Sequence, residues 1–365
     1  MSLPPIQLLV DALNAPARLT GLSMTQWDLL IRQARSADML ARIASQCQAA
    51  GLLAQIPPQP RKHLESAANL ALRQHRELHW EVKLIKEAMA RTGIPVVLLK
   101  GAAYALGGLT AARGRMMSDV DILVPHASLP DIESALMMRG WVSAAKTDYD
   151  QRYYRTWMHE LPPMRHIHRG TVIDIHHAIV PISSRAHPSS DSLLSAALPI
   201  QSDRQIKSLA PQDMLLHSAT HLFHEGELEQ GFRGVVDIDS LLREFGEHDG
   251  FWHGLVARAV ELELVRPLFY GLRYATLMLG TPVPAAVITE VSHTPGAPRS
   301  RFFLRMLDAL FLRALRPTHG STSDRWTPLA RLLLYLRGHW LRMPPWLLIR
   351  HLTRKMVLSV KKQEE

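Results

Sequence analysis

Two aspartates one residue apart, Asp119 and Asp121, close the run Arg115-Met-Met-Ser118-Asp119-Val-Asp121-Ile-Leu-Val124. Read as a strand, the segment puts both carboxylates on one face and turns Val120 back into the core. Like charges on one face repel unless a cation sits between them. Hard oxygen ligands of this kind suit Mg²⁺, which takes one or two protein carboxylates together with substrate phosphates, or Mn²⁺. Downstream, Thr171-Val-Ile-Asp174-Ile-His176-His177 alternates as a second strand with a third carboxylate. Asp174 would hold a second metal or act as general base to an incoming hydroxyl. His176, two residues on, faces the same side as Asp174.

Upstream lies Val96-Val-Leu-Leu99-Lys100-Gly101-Ala-Ala-Tyr-Ala-Leu106, a buried-type strand, a glycine turn and an Ala-rich helix start. Gly101 would let backbone N–H groups approach a phosphate, and a helix N-terminus favours its charge. A lysine at the end of a buried strand, as Lys100 is, must leave the core or meet an anion. Arg115 and Ser118 stand just before the aspartate pair and suit phosphate oxygens, with Arg113 as a substitute for Arg115. His217, His221 and His224 form a separate histidine set. His217 and His221 share a helix face at i and i+4, but no Glu flanks the first as in a His-Glu-x-x-His zinc site. The expectation there is a helix packed beside the site, followed by a second that lines it with Asp237 or Arg233.

Helical spacing covers residues 5–50 and, after the Ile56-Pro-Pro-Gln-Pro60 break, a long helix from about Arg61 to Arg91 that Thr92-Gly93 caps. Strands are expected at 96–99 and 120–124 with a helix between them, and a short helix at 130–139. Alternation predicts antiparallel strands at 151–158, 164–169 and 171–177, the last two joined at Arg169-Gly170. From Ser189 onward the chain reads as helical. The expected fold class is α+β, a small mixed sheet flanked by helices. Its expected divisions are an N-terminal helical region (1–93), a sheet-bearing core (94–185), a C-terminal helical domain (186–325) and a basic amphipathic tail (326–365).

The chain has 365 residues, 47% of them hydrophobic and 21% charged, which excludes a disordered protein. Its formal charge of +9, concentrated late in the chain, points to an anionic partner or a solubilising basic surface. The one cysteine, Cys47, excludes an internal disulfide and a Cys-based metal site, and fits a reducing compartment. No signal-peptide pattern stands at the N-terminus and no run is apolar enough to span a bilayer, so a cytoplasmic location is expected. The tail alternates Trp326, Leu332, Leu336 and Trp340 with Arg331, Arg337 and Arg342. Such a pattern packs on a core or lies on an anionic membrane surface.

The combination Lys-Gly-Ala … Arg-x-x-Ser-Asp-x-Asp-x-Leu-Val … Asp-x-His over residues 94–180 resembles the polymerase-β-like nucleotidyltransferase superfamily. Within it, the motif is most similar to an uncharacterised bacterial family found in exopolysaccharide and exosortase-type gene clusters, and is also similar to toxin-type nucleotidyltransferases. The resemblance implies metal-dependent transfer of a nucleoside monophosphate from a nucleoside triphosphate (NTP) to a hydroxyl acceptor. Asp119, Asp121 and Asp174 would be the catalytic and metal-binding carboxylates, and Lys100, Gly101, Arg115 and Ser118 the nucleotide contacts. The acceptor stays open among protein, sugar-phosphate and RNA. Many active members carry Gly-Ser or Gly-Gly where this chain has Gly101-Ala102. That departure leaves a nucleotide-binding regulatory module as one alternative, and the basic tail leaves a membrane-peripheral accessory of polysaccharide assembly as another.

Overall fold

The computed structural model describes residues 6–145, 147–224 and 228–342. Its centre is one mixed sheet of seven strands: β1 (Val96–Leu98), β2 (Asp119–Leu123), β3 (Trp141–Ser143), β4 (Met164–His166), β5 (Val172–His176), β6 (Leu198–Ile200) and β7 (Asp203–Ser208). They lie side by side in the order β3-β4-β5-β2-β1-β7-β6. The all-apolar β1 is buried along its whole length, as befits a strand covered on both faces. It runs antiparallel to β2 and parallel to β7. β2 in turn runs parallel to β5, in a register that pairs Asp121 with Asp174 and Leu123 with His176. Val120, Ile122, Ile173 and Ile175 occupy the opposite face and are buried.

Helices surround this sheet, so the fold is α+β as expected. The N-terminal region holds Gln7–Asn14, Met24–Ser36 and Leu40–Ala49, followed by the long Pro58–Met89 helix. Ser23 and Gln26 form a reciprocal capping box at the start of the second of these. A 3₁₀ turn follows the long helix and ends at Gly93, whose φ of 69° is the left-handed value that favours glycine at a helix stop. After the sheet come Pro211–His224 and Gly231–Phe245, then five further helices ending with Thr327–Arg342.

Two differences from the sequence reading stand out. The segment expected as a strand at 151–158 is a helix, Asp148–Trp157. Thr147 caps it by accepting from the Asp150 N–H, and the acids of its first turn match the positive helix end. Second, residues after Ser189 are not all helical, because β6 and β7 extend the sheet through Ser208. Only Ile206 of β7 is buried, so its apolar alternation is faint. The tail, read as a basic amphipathic helix, is helical through Arg342, while 343–365 lie outside the described residues.

The β4–β5 hairpin that carries Asp174 is pinned to the long helix by an ion pair whose carboxylate is buried. Arg169 meets Glu81 in bidentate fashion, Nε to Oε2 and Nη2 to Oε1 both at 2.9 Å, and its guanidinium lies 4.8 Å over the Trp141 ring. Glu81 is only 3% exposed. Arg169→Ala strands that carboxylate, and because the arginine itself is partly solvated the expected loss is about 2–3 kcal/mol, below that for a fully buried pair. Urea unfolding checks it, and a loss under about 0.5 kcal/mol, the size of an ordinary surface substitution, would refute the pinning role.

Candidate functional site

β2 and β5 bring Asp121, Asp174 and His176 onto one face, and Asp119 extends that face to the rim. Lys100 closes it from the end of β1. Leu99 donates its N–H to the Asp121 carbonyl at 2.9 Å, which fixes the strand end beside the aspartate. The next residue, Lys100, opens the Lys100–Leu106 helix with φ 45°. A side chain in that region carries strain of about 1–3 kcal/mol and persists only where the surroundings hold it. Here the turn delivers the Lys100 ammonium to Asp121 Oδ1 at 3.3 Å. His176 Nε2 donates to the same oxygen at 3.0 Å, and its Nδ1 stands 3.4 Å from Glu160 Oε2.

These contacts divide the acids electrostatically. Burial opposes the charge of Asp121, but Lys100 and the His176 hydrogen bond outweigh it and hold that carboxyl below the usual range. Asp174 has the opposite fate. Burial first, then the charges of Asp121 and Glu160, push it up to about 7. Its Oδ1 is buried without a hydrogen-bond partner. The His176 ring is itself raised, because its bond to Asp121 and the charges of Asp121 and Glu160 exceed the effect of burial.

Gly101 matters for space. A Cβ there would overlap the Arg115 guanidinium and come within 2.8 Å of Met117 Sδ. The loop before β2 is tied to the long helix: Gln74 accepts from the Met117 N–H at 3.0 Å and His75 Nε2 meets the Arg115 carbonyl at 2.9 Å. Arg115 does not project freely. Its Nε donates to Asp237 at 2.9 Å, and Asp237 also lies 3.8 Å from Arg42. Ser118 donates to Asp119 Oδ1 at 2.9 Å at the rim, and Arg113 is exposed.

Two cavities flank the carboxylates and share Lys100, Asp119, Asp121 and His221. One, about 190 Å³, adds Gly101, Arg115, Ser118, Arg233 and Asp237. The other, about 440 Å³, adds Asp174, His176, His159, Glu160, Tyr153 and Arg342. All seven sequence candidates therefore line one or both cavities. Asp237 and Arg233 line the first, as expected of that helix pair. The other histidines disperse: His217 is buried, and His224 meets Ser184 Oγ at 3.1 Å.

The donor chemistry fits a divalent cation. Asp119, Asp121 and Asp174 offer oxygen only, and the orphaned Asp174 oxygen is the kind of group a cation satisfies. Beside them His159, Glu160 and His176 place one ligand atom each within 4.8 Å of one another, a mixed N/O set that suits a transition metal as well. Sequence reading missed His159, Glu160 and the cavity side chains Tyr153 and Arg342. The one signal for Glu160 is its acid–histidine neighbourhood, His159-Glu160, ahead of a hairpin.

Against this geometry, a family model described as uncharacterised nucleotidyltransferase matches residues 23–280. No curated protein and no solved structure matches the chain.

Asp174 generates a pH prediction. Its folded pKa lies above the unfolded value near 3.8, so the stability it contributes is complete below that value and is lost as pH rises through about 7. Asp174→Asn removes the penalty. Its effect on the unfolding free energy should be near zero at pH 4 and reach a gain on the order of 2–4 kcal/mol at pH 8 without metal. Mg²⁺ should close the gap by stabilising the wild type alone. A pH-independent difference in thermal melts would sink this account.

Proposed function

The chain belongs to this family of uncharacterised nucleotidyltransferases, and from that premise we propose that it moves a nucleoside monophosphate from an NTP to an acceptor hydroxyl, with Mg²⁺ or Mn²⁺. The observation that carries the proposal is the parallel register that sets Asp121 beside Asp174, with Asp119 on the same face. Asp119, Asp121 and Asp174 would hold the cation, which would stabilise charge on the transferred phosphoryl group and orient the attacking oxygen.

The smaller cavity is the nucleotide side. Its Lys100-Gly101 turn presents first-turn N–H groups that lack intrahelical acceptors, and Lys100 and Arg233 add positive charge for the phosphates. Arg115, engaged by Asp237, acts as the wall that shapes this turn. In the reaction the acceptor oxygen bonds to the α-phosphorus, the bond to the α–β bridging oxygen breaks, and pyrophosphate leaves. The hydroxyl proton passes to the Asp174 carboxylate. A carboxylate beside the acceptor hydroxyl can take that proton, and Lys100 and His176 keep Asp121 ionised beside it.

A second reading concerns location and rests on its own observation. The last two described helices, Arg301–Ala314 and Thr327–Arg342, expose Phe302 (82%), Leu332 (53%), Leu336 and Trp340 beside Arg301, Arg305 and Arg331. An apolar strip among arginines suits the surface of an anionic membrane. Among the described residues no helix is long and apolar enough to cross a membrane.

With α-labelled NTPs and Mg²⁺, the wild type should release pyrophosphate or transfer label, and Asp119→Ala/Asp121→Ala should lose at least about 10³-fold, since the charge stabilisation at stake is several kcal/mol. Activity that survives the double substitution would refute the assignment. Saturable NTP binding with no release on any acceptor would turn the reading toward a regulatory nucleotide-binding module, consistent with Ala102 in place of a hydroxyl residue. For location, the protein should co-sediment with vesicles rich in phosphatidylglycerol and shift its tryptophan emission. Equal sedimentation with phosphatidylcholine vesicles would count against it.

A further inference from the structure

The larger cavity contains a charge that the transfer chemistry leaves unexplained. Arg342 is 8% exposed and lines the cavity wall. Its Nε has no hydrogen-bond partner, and among the described residues no carboxylate lies within ion-pair reach. A guanidinium carries a fixed positive charge and a fork of donors, and in a mostly enclosed cavity wall it suits an anion. The residue is also held in place. Ser183 Oγ donates to the Arg342 carbonyl at 2.6 Å and Ser184 Oγ to the Leu341 carbonyl at 3.4 Å, which anchors the end of the Thr327–Arg342 helix over the site.

The rest of the wall is of another kind. Asp150 and Glu160 offer acceptors for hydroxyl groups, and the rings of Tyr153 and Tyr154 offer flat faces and phenol groups. Asp174 lines this cavity and not the smaller one. An occupant with a hydroxyl at Asp174 would therefore face the nucleotide across Asp119 and Asp121.

We propose that this cavity is the acceptor subsite and that it takes a phosphorylated polyol, with its phosphate on Arg342 and one hydroxyl at Asp174. The proposal rests on the nucleotidyltransferase reading of the carboxylate face. An arginine fork matches phosphate oxygens in bidentate geometry, and the carboxylates and phenols complement sugar-like hydroxyls. The step balances as above: the polyol oxygen gains the α-phosphorus, pyrophosphate departs with the electrons of the broken bond, and the proton goes to Asp174. The phosphate group on the polyol is recognised but not transferred. It can arrive on a soluble molecule or on a lipid headgroup.

The test uses the full chain with Mg²⁺ and labelled NTP. Probes are glycerol, glycerol 3-phosphate, glucose, glucose 6-phosphate, and vesicles with or without phosphatidylglycerol. A phosphate-bearing probe should exceed its neutral counterpart at least tenfold in kcat/KM, and Arg342→Ala should erase that preference, chiefly through KM. Arg342→Lys should restore part of it, which also covers a misfolded alanine variant. Preference for the soluble phosphates or for the vesicles then names the source. Transfer to none of these probes, label on the protein itself, or a preference that survives in Arg342→Ala overturns the proposal. Calorimetric binding of inorganic phosphate, wild type against Arg342→Lys and Arg342→Ala, decides the subsite independently. If no NTP binds at all, the nucleotidyltransferase reading fails, and Arg342-dependent phosphate binding still reports on this cavity.

Discussion

The parallel pairing of β2 with β5 is the constraint from which the rest of the site follows. It is a matter of register. With Asp121 opposite Asp174, the polar residues of both strands share one face and the isoleucines and Val120 share the other. A slip of one residue would send the carboxylates into the apolar layer and the isoleucines toward the cavities. The burial of Ile122, Ile173 and Ile175 thus sets the position of the acids as firmly as any polar contact does. The apolar face selects the register, and the register creates a concentration of negative charge that the chain must then manage.

It manages that charge unevenly. Lys100 and His176 both engage Asp121 Oδ1, so one acid is neutralised by its neighbours while Asp174 is left to burial and repulsion. The difference sets two carboxylates of one type apart, one held as an anion by its neighbours and the other raised by burial and repulsion. The supporting contacts come from far along the chain. Arg42 of an N-terminal helix and Arg115 of the loop before β2 both reach Asp237 of a C-terminal helix, and Gln74 and His75 hold the loop that leads into β2. The helical regions on either side of the sheet are therefore parts of the site's scaffold, which agrees with a family match that runs well outside the sheet.

How much of this was legible in the sequence depends on how local each signal is. The carboxylate face could be read, because period-two alternation in Asp119–Val124 and Val172–His176 fixes which side chains share a side. The hairpin at Arg169-Gly170 and the helix stop at Gly93 were legible from turn residues, whereas the turn after β1 bends at Lys100 (φ 45°) with Gly101 already helical. The Asp148–Trp157 segment misled because its tyrosines and arginines mimic alternation, while the Thr147 cap with Asp150 was the better guide. β7 was missed because a polar strand with one buried side chain has almost no pattern. Arg115 looked like a phosphate ligand beside Ser118, and only the fold reveals Asp237 at its guanidinium. Arg342 could not be placed at all, since its meaning comes from a cavity more than two hundred residues from Lys100 in the chain.

That separation has a consequence for the order in which the protein acquires competence as it is made. Everything that lines the smaller cavity has been synthesised by Asp237, whereas the larger cavity lacks a wall until Arg342 has been added. At about 5–20 residues per second, translation separates the two events by roughly 5–20 s. During that interval the nascent chain holds the residues of one cavity without those that complete the other. A ribosome paused between the two positions would carry a half-assembled site, without the Arg342 wall of the larger cavity.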